Sequence, residues 1–419
     1  MHVCILGAGI TGLAAAWQLH REGFYVTVID RAGAGEGASA ANGAQLSYAY
    51  VQPLADPSIW RQLPQLLLAR DSPLTLRPQF DPHQWAWGLR FLAACRGSVS
   101  LTTTARLLAL AAQSRTGFER LLAEEQLDCD FSATGKLVLY PDTASFAAAR
   151  RQMALQRALG SEQTAVTAQE CVAIEPALTH YQAHIAGAIH TPGECAADCY
   201  KVCQELLRLL RARGVRFLFN TEVTRMVLRG GRAVAALTAA GPLEADAFVV
   251  ALGTASHSLG RTLGLHLPVY PLKGYSITLP ISDRDGGAPH VNVTDAARKV
   301  VFARVGQRLR VAGMVELVGN NTQIPAARID TLTRAVRELF PDGGNFSASE
   351  PWTGLRPATP TGRPIIGRLP GTPANLLFNT GHGALGFTLA FGSAQQIADL
   401  LHASPRPTQS VAGPVSCSA

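Results

Sequence analysis

The hydrophobic pattern opens on a short buried run, His2 to Leu6, that predicts a β-strand. Gly7-Ala8-Gly9-Ile10-Thr11-Gly12 follows at once. Leu13 to Arg21 then has helical character as far as Gly23, and Tyr25 to Ile29 is a second β-rich run ending in Asp30. A second block lies at 214–253. Val215 to Phe219 predicts a strand that Thr221-Glu222-Val223 continues, Gly230-Gly231 a hairpin turn, and Ala233 to Leu237 the return strand. Ala247 to Leu252 predicts a buried strand ending at Gly253. A third block closes the chain: a short strand over Leu376 to Asn379, the cluster Thr380-Gly381-His382-Gly383-Ala384-Leu385-Gly386, and a helix from Phe387 to about His402. Between the blocks, Trp85 to Ala94 and Leu101 to Glu125 have helical patterning. Val269 to Leu279, Val300 to Ala303 and Leu309 to Val311 are β-like.

Strand, glycine turn, helix, strand and acid in that order form a dinucleotide-binding context. Gly7 permits the tight turn, Gly9 lets backbone approach a pyrophosphate, and Gly12 allows helix to pack closely on strand. The helix N-terminus, with Ala8 and Thr11, offers unpaired N–H groups to phosphates. Asp30 is placed to accept hydrogen bonds from a ribose hydroxyl, beside Arg31. After Arg31 the chain does not enter another βαβ unit. It runs through small residues, Gly33 to Asn42, with Ser39 and Asn42, then Gly43, Gln45 and Leu46, which favours an extended ligand, FAD, over NAD. Val223 and Gly253 in the middle block, and Gly381, His382, Gly383, Leu385 and Gly386 in the last, complete the expected cofactor-facing set. The last turn opens onto a helix N-terminus that favours negative charge, such as the edge of a reduced flavin.

Three glycine blocks spread over the chain predict an α/β fold. A Rossmann-like FAD-binding domain (1–55, 166–261 and 348–403) is interleaved with an α+β substrate or cap domain (56–165 and 262–347) that contains a mainly antiparallel sheet. Residues 404–419, rich in Pro and Ser, are expected to form a disordered tail.

Composition narrows the class. Of 419 residues 47% are hydrophobic and 16% charged, which excludes intrinsic disorder and leaves material for a large core. No apolar run reaches the roughly 20 residues that a spanning helix needs, and no fixed repeat is visible. The formal charge of +7 is dispersed, which weighs against nucleic acid as a partner. It is compatible with peripheral association with an anionic lipid surface. Only four of the 37 basic residues are lysines: Lys136, Lys201, Lys273 and Lys299. Eight dispersed cysteines with no CxxC pair, and an N-terminus unlike a secretory signal, place the chain by expectation on the cytoplasmic side, with peripheral attachment to an inner membrane compatible. Cys195, Cys199 and Cys203 recur at helical spacing and read as a core face, so no metal site is expected.

The stretches Ile5-Leu6-Gly7-Ala8-Gly9, Val26 to Arg31, Ser39-Ala40-Ala41-Asn42, Val269 to Ser276, Trp352 to Pro357 and Asn379 to Gly383 carry a family resemblance. The chain resembles the D-amino acid oxidase/dehydrogenase superfamily, and within it the bacterial D-amino acid dehydrogenase (small-subunit) family. It departs at Ser47-Tyr48-Ala49-Tyr50, where the family pattern is Ser-Pro-Gly-Tyr; Tyr48 is extra. The resemblance implies oxidation of a D-amino acid, with hydride passing from the α-carbon to flavin N5. The imino acid then hydrolyses to a 2-oxo acid and ammonia, and the electrons go to a quinone or other carrier. Secondary amines such as D-hydroxyproline or proline, oxygen as acceptor, and a non-catalytic flavin-binding subunit remain as alternatives. By resemblance, Arg356 is the first choice to clamp the substrate carboxylate, with Arg304 weaker. Tyr275 and Tyr50 are expected to supply polar contacts, with Tyr48 shaping the pocket. His382 is expected to assist proton removal or to hydrogen-bond the flavin. No cysteine lies in the flavin-facing motifs except Cys4, on the buried first strand, so FAD is expected to be non-covalent.

Overall fold

The structure is a computed structural model that describes residues 1–60, 74–157, 161–281 and 287–403. The expected tail, 404–419, lies outside the described residues.

Runs rich in β-branched residues build the two largest of four sheets among the described residues. The first has six strands in the order Ile365–Gly367, Leu376–Thr380, Ala247–Val250, His2–Leu6, Tyr25–Ile29, Arg216–Leu218. All neighbouring pairs are parallel except the edge strand Ile365–Gly367, which runs antiparallel. The central strands His2–Leu6 and Ala247–Val250 are almost wholly buried, as a parallel sheet covered on both faces requires. The helices Ile10–Arg21 and Cys199–Ala212 and the C-terminal helix Gly386–His402 contribute to one core, and a smaller cluster fills the opposite face.

The second sheet is mixed and mainly antiparallel. Its longest strands are Tyr270–Pro280, Arg308–Leu317 and Glu350–Ala358. Two pairings fall outside the sequence boundaries. Gly187–Thr191 and Glu350–Ala358, both expected in the nucleotide domain, pair instead with Lys136–Tyr140 and Tyr270–Pro280 of this second sheet. The reason is long-range pairing, which local pattern does not encode.

Two further expectations are corrected. The strand at Arg216–Leu218 is not continued by Thr221-Glu222-Val223. Asn220 takes φ +52°, and the Thr221 N–H returns to the Asp30 carbonyl at 2.9 Å. The three cysteines do not share a helix. Asp198 caps a helix that begins at Cys199, so Cys195 stays on a short strand, and all three thiols still pack into one core.

Candidate functional site

One cavity of about 920 Å³ is lined by residues of both sheets, at the upper end of what small-molecule sites occupy. Its nucleotide end is built from the first glycine block. Gly7 sits at φ +110°, and a Cβ there would lie 2.3 Å from the Ala251 carbonyl oxygen. A Cβ at Gly12 would lie 1.9 Å from the Gly7 oxygen, so this glycine is spent on helix–strand packing and does not line the cavity. The helix Ile10–Arg21 begins without a side-chain cap or an acidic residue in its first turn, and Gly9 and Thr11 face the cavity. This is an open anion site of the kind a pyrophosphate fills.

Asp30 and Arg31 line the same end. Asp30 also organises the turn, because its Oδ2 accepts from the Ala8 N–H at 2.7 Å and its Oδ1 from the Ala32 N–H at 2.8 Å. Ala8 therefore does not offer its N–H to the cavity, against expectation. Ser39 Oγ accepts from the Ile10 N–H at 3.1 Å. Asn42, Gly43, Gln45, Val223 and Gly253 all line the cavity. Leu46 does not: it is fully buried and pairs with Cys195. Gln45 also joins the cap strands by donating to the carbonyls of Val293 and Phe302 at 3.1 and 3.0 Å.

At the other end the helix Gly386–His402 also starts uncapped and without an early acid, with Gly383, Leu385 and Gly386 on the cavity wall. Gly381 lies behind this wall at φ +80°, packed against Thr359. His382 touches the cavity, but its ring turns inward, with Nε2 at 3.2 Å from Ser393 Oγ. Burial lowers its pKa to about 4. A ring so weakly basic and already paired is a poor general base, which corrects that role for His382. Its neutral form is favoured in the fold, so its contribution to stability is complete above pH 6.5 and is lost as pH falls from there through 4. The His382→Asn variant is therefore expected to close its stability gap to the wild type, by up to about 3 kcal/mol, as pH drops through this window. Urea denaturation at pH 7 and pH 4.5 checks it; a gap that does not change with pH refutes it.

The sheet end holds the substrate candidates. Leu272 on Tyr270–Pro280 pairs with Arg356 on Glu350–Ala358, and Gly274 with Gly354. Gly274 leaves room for the arginine: a Cβ there would lie 2.3 Å from Arg356 Cζ. The guanidinium is enclosed by protein yet faces the cavity, and Nη1 donates to the Met314 carbonyl at 2.8 Å. Met314 holds φ +60°, an uncommon conformation for a side-chain-bearing residue, on the strand that pairs across from Tyr275. Burial alone lowers the Arg356 pKa to about 10, so it stays charged at neutral pH, and no described carboxylate pairs with it. An enclosed cation without a counter-ion is costly unless an anionic ligand completes it.

Tyr275 also lines the cavity. Its hydroxyl donates to Glu316 Oε2 at 2.5 Å, and Glu316 in turn pairs with Arg328 at 2.6 Å. Burial first, and this acceptor second, raise its pKa well above the phenol range. With its proton committed to Glu316, the tyrosine offers the cavity a ring and an acceptor oxygen, suited to an amine more than to a carboxylate. Tyr50 lines the cavity with Lys136 Nζ 4.6 Å from its ring centroid. Tyr48 does not reach it. Its ring stacks with the Arg115 guanidinium at 5.9 Å, and Glu194 accepts the Tyr48 and Ala49 N–H groups at 2.7 Å each. Arg304 is also away from the cavity, where its Nε donates to the Gly306 carbonyl at 3.5 Å.

Sequence reasoning missed Trp87, Phe91, Met314, Trp352 and Lys136 as cavity residues. Each reaches the cavity through tertiary packing. For Lys136 the rarity of lysine in this chain was the one available signal.

The comparisons agree with this geometry. Residues 2–400 match the family model described as FAD dependent oxidoreductase. The chain belongs to that family, and it is an FAD-dependent oxidoreductase. It is 48% identical over 413 residues to "D-amino acid dehydrogenase 2" of Ralstonia nicotianae, with 96% of each chain covered. It is 47% identical to the protein of the same name in Pseudomonas aeruginosa, with 96% of this chain and 95% of that one covered. In fold it is similar to glycine oxidase from Geobacillus kaustophilus (TM-score 0.75, 21% identity, 97% and 95% covered). The cradle of uncapped helices and close-packed glycines fits FAD.

Proposed function

We propose that this enzyme oxidises D-amino acids to 2-oxo acids and ammonia and passes the electrons to a quinone or another carrier. The observation that carries the reading is Arg356, an enclosed guanidinium without a counter-carboxylate on the wall of the cavity that also holds the FAD motifs. The names of the relatives, D-amino acid dehydrogenases at 47% and 48% identity, support the substrate class and its stereochemistry.

In this reading FAD, held without a covalent bond, supplies the two-electron acceptor for the α-C–H bond. Gly7, Gly9, Thr11, Asp30, Arg31, Ser39 and Asn42, which line the cavity, would hold its nucleotide half, and Gly43, Gln45, Gly383, Leu385 and Gly386 its ring. No cysteine lines the cavity among the described residues, which supports non-covalent binding. Arg356 binds the substrate carboxylate through its planar fork, and the Tyr275 oxygen accepts from the amine. The cationic groups around the cavity favour the neutral amine, so the proton leaves to solvent without a dedicated base. Trp87, Phe91 and Trp352 keep water from the reacting carbon.

No helix among the described residues is long and apolar enough to cross a membrane. A peripheral position is supported by the helix Pro82–Ala94. Its Trp87 and Phe91 line the cavity, while Trp85 and Leu89 are exposed at 53% and 68%.

Anaerobic mixing with D-alanine, D-methionine and D-glutamate is expected to bleach the flavin, while their L-enantiomers leave it oxidised. Reoxidation is expected to be fast with a soluble quinone and slow in air. Absence of bleaching with every D-amino acid refutes the activity; fast reoxidation by air refutes the acceptor.

A further inference from the structure

Charge is distributed unevenly along the cavity. The carboxylates that line it, Asp30, Glu36 and Glu222, all belong to the nucleotide-binding segments. The remaining wall carries three cations, Arg356, Lys136 and Lys299, and no carboxylate among the described residues. One substrate carboxylate satisfies Arg356, and the reacting amine is neutral. Two ammonium groups remain, and the carboxylates that act on them, Glu194 on Lys136 and Asp56 on Lys299, do not line the cavity.

Lys136 is the more deeply set of the two, at 3% exposure on the strand Lys136–Tyr140. Its Nζ donates to Ser47 Oγ at 2.8 Å and lies over the Tyr50 ring. No described carboxylate is within ion-pair distance of it. Glu194 acts on it from farther away, and its own oxygens are occupied by the Tyr48 and Ala49 N–H groups. An ammonium has three donors, and one neutral hydroxyl is poor compensation for burying it. Burial lowers the Lys136 pKa to about 8, which leaves it mostly protonated at neutral pH. The side chain therefore stands as a buried cation, on a tyrosine that lines the cavity, with donors to spare.

We propose that the cavity is built for D-amino acids with an acidic side chain, Arg356 taking the α-carboxylate and Lys136 the side-chain carboxylate. The inference rests on the D-amino acid reading above and names its substrate class. Tyr50 lies on the cavity wall under the Lys136 ammonium, and Ser47 holds that ammonium in place. A neutral isostere such as D-glutamine leaves the lysine uncompensated, so discrimination comes from that penalty as well as from the lost attraction.

The test uses the FAD-loaded full-length enzyme with D-glutamate, D-aspartate, D-glutamine and D-alanine, and a titration of glutarate against the flavin spectrum. D-Glutamate is expected to exceed D-glutamine in kcat/KM by about thirtyfold, the gap lying in KM, the size of one charge-assisted hydrogen bond. Lys136→Met, close in length and without charge, is expected to collapse that gap and to weaken glutarate binding by a similar factor. Lys136→Arg is expected to keep much of both. Equal efficiency of the wild type on D-glutamate and D-glutamine overturns the assignment, as does a gap or a glutarate affinity that Lys136→Met leaves intact. If no D-amino acid reduces the flavin, the activity reading fails, and the glutarate titration alone still decides whether Lys136 holds an anion.

Discussion

Replacing Arg356 by leucine is expected to raise KM for a D-amino acid about a hundredfold or more while FAD remains bound. The guanidinium is the cavity cation whose position both long strands of the second sheet are shaped to hold. Gly274 makes space for it, and the Met314 carbonyl orients it through Nη1. Nothing described in the protein neutralises it, so the wild type keeps an enclosed charge ready for a carboxylate. Leucine removes the charge and the two-pronged geometry together, and both matter because carboxylate recognition by arginine is bidentate. Arg356 belongs to the second sheet and the Gly7–Gly12 turn to the first, so the flavin spectrum and the FAD stoichiometry should be preserved. Steady-state kinetics together with bound FAD check it. Loss of FAD with the leucine would make Arg356 a structural residue, and an unchanged KM would remove it from substrate binding.

Gly7→Ala is expected to cost about 3 kcal/mol or more and to release FAD. Two penalties coincide there. The backbone sits at φ +110°, where side chains are strained, and the new Cβ would lie 2.3 Å from the Ala251 carbonyl oxygen. That oxygen belongs to backbone, which cannot rotate away as a side chain would. The Ala251 N–H is itself bonded to the Leu6 carbonyl at 2.8 Å, so a shift at Ala251 would disturb the pairing of the first strand. Gly23→Ala is a useful control. It shares a positive φ, at +81°, but a Cβ there meets no atom within 4 Å. Thermal unfolding and FAD content should fall sharply for Gly7→Ala and only modestly for Gly23→Ala. Equal effects would show that φ strain alone, and not the close approach to Ala251, sets the requirement at Gly7.

The parts of the fold that the sequence revealed are those where local pattern and local chemistry coincide. The strand His2–Leu6, the turn at Gly7 to Gly12 and the helix after it are contiguous, and each residue's task is performed within a few neighbours. The same holds for Leu376–Thr380 and the helix Gly386–His402. Arg356 and Tyr275 were legible because they sit in distinctive short motifs, and both line the cavity. Tyr48, Arg304 and Leu46 failed because adjacency in sequence says little about side-chain direction. Regular strand alternation would put Tyr48 and Tyr50 on one face, but the chain bends at this point, so Tyr50 reaches the cavity while Tyr48 packs against Arg115.

The glycine turns and the α/β class could be read along the chain, because helix ends, glycine turns and hydrophobic periodicity act over short distances, and Arg356 on the cavity wall could be picked out from its motif. Long-range packing sets which strands join the second sheet, that Tyr275 donates its proton to Glu316, that the His382 ring turns to Ser393, and that Lys136 lines the cavity. Each of these depends on partners between 11 and 89 residues away in the chain, brought together by strand pairing and burial. The energy of a buried charge or hydrogen bond is set by those assembled surroundings, which no local stretch of the chain contains.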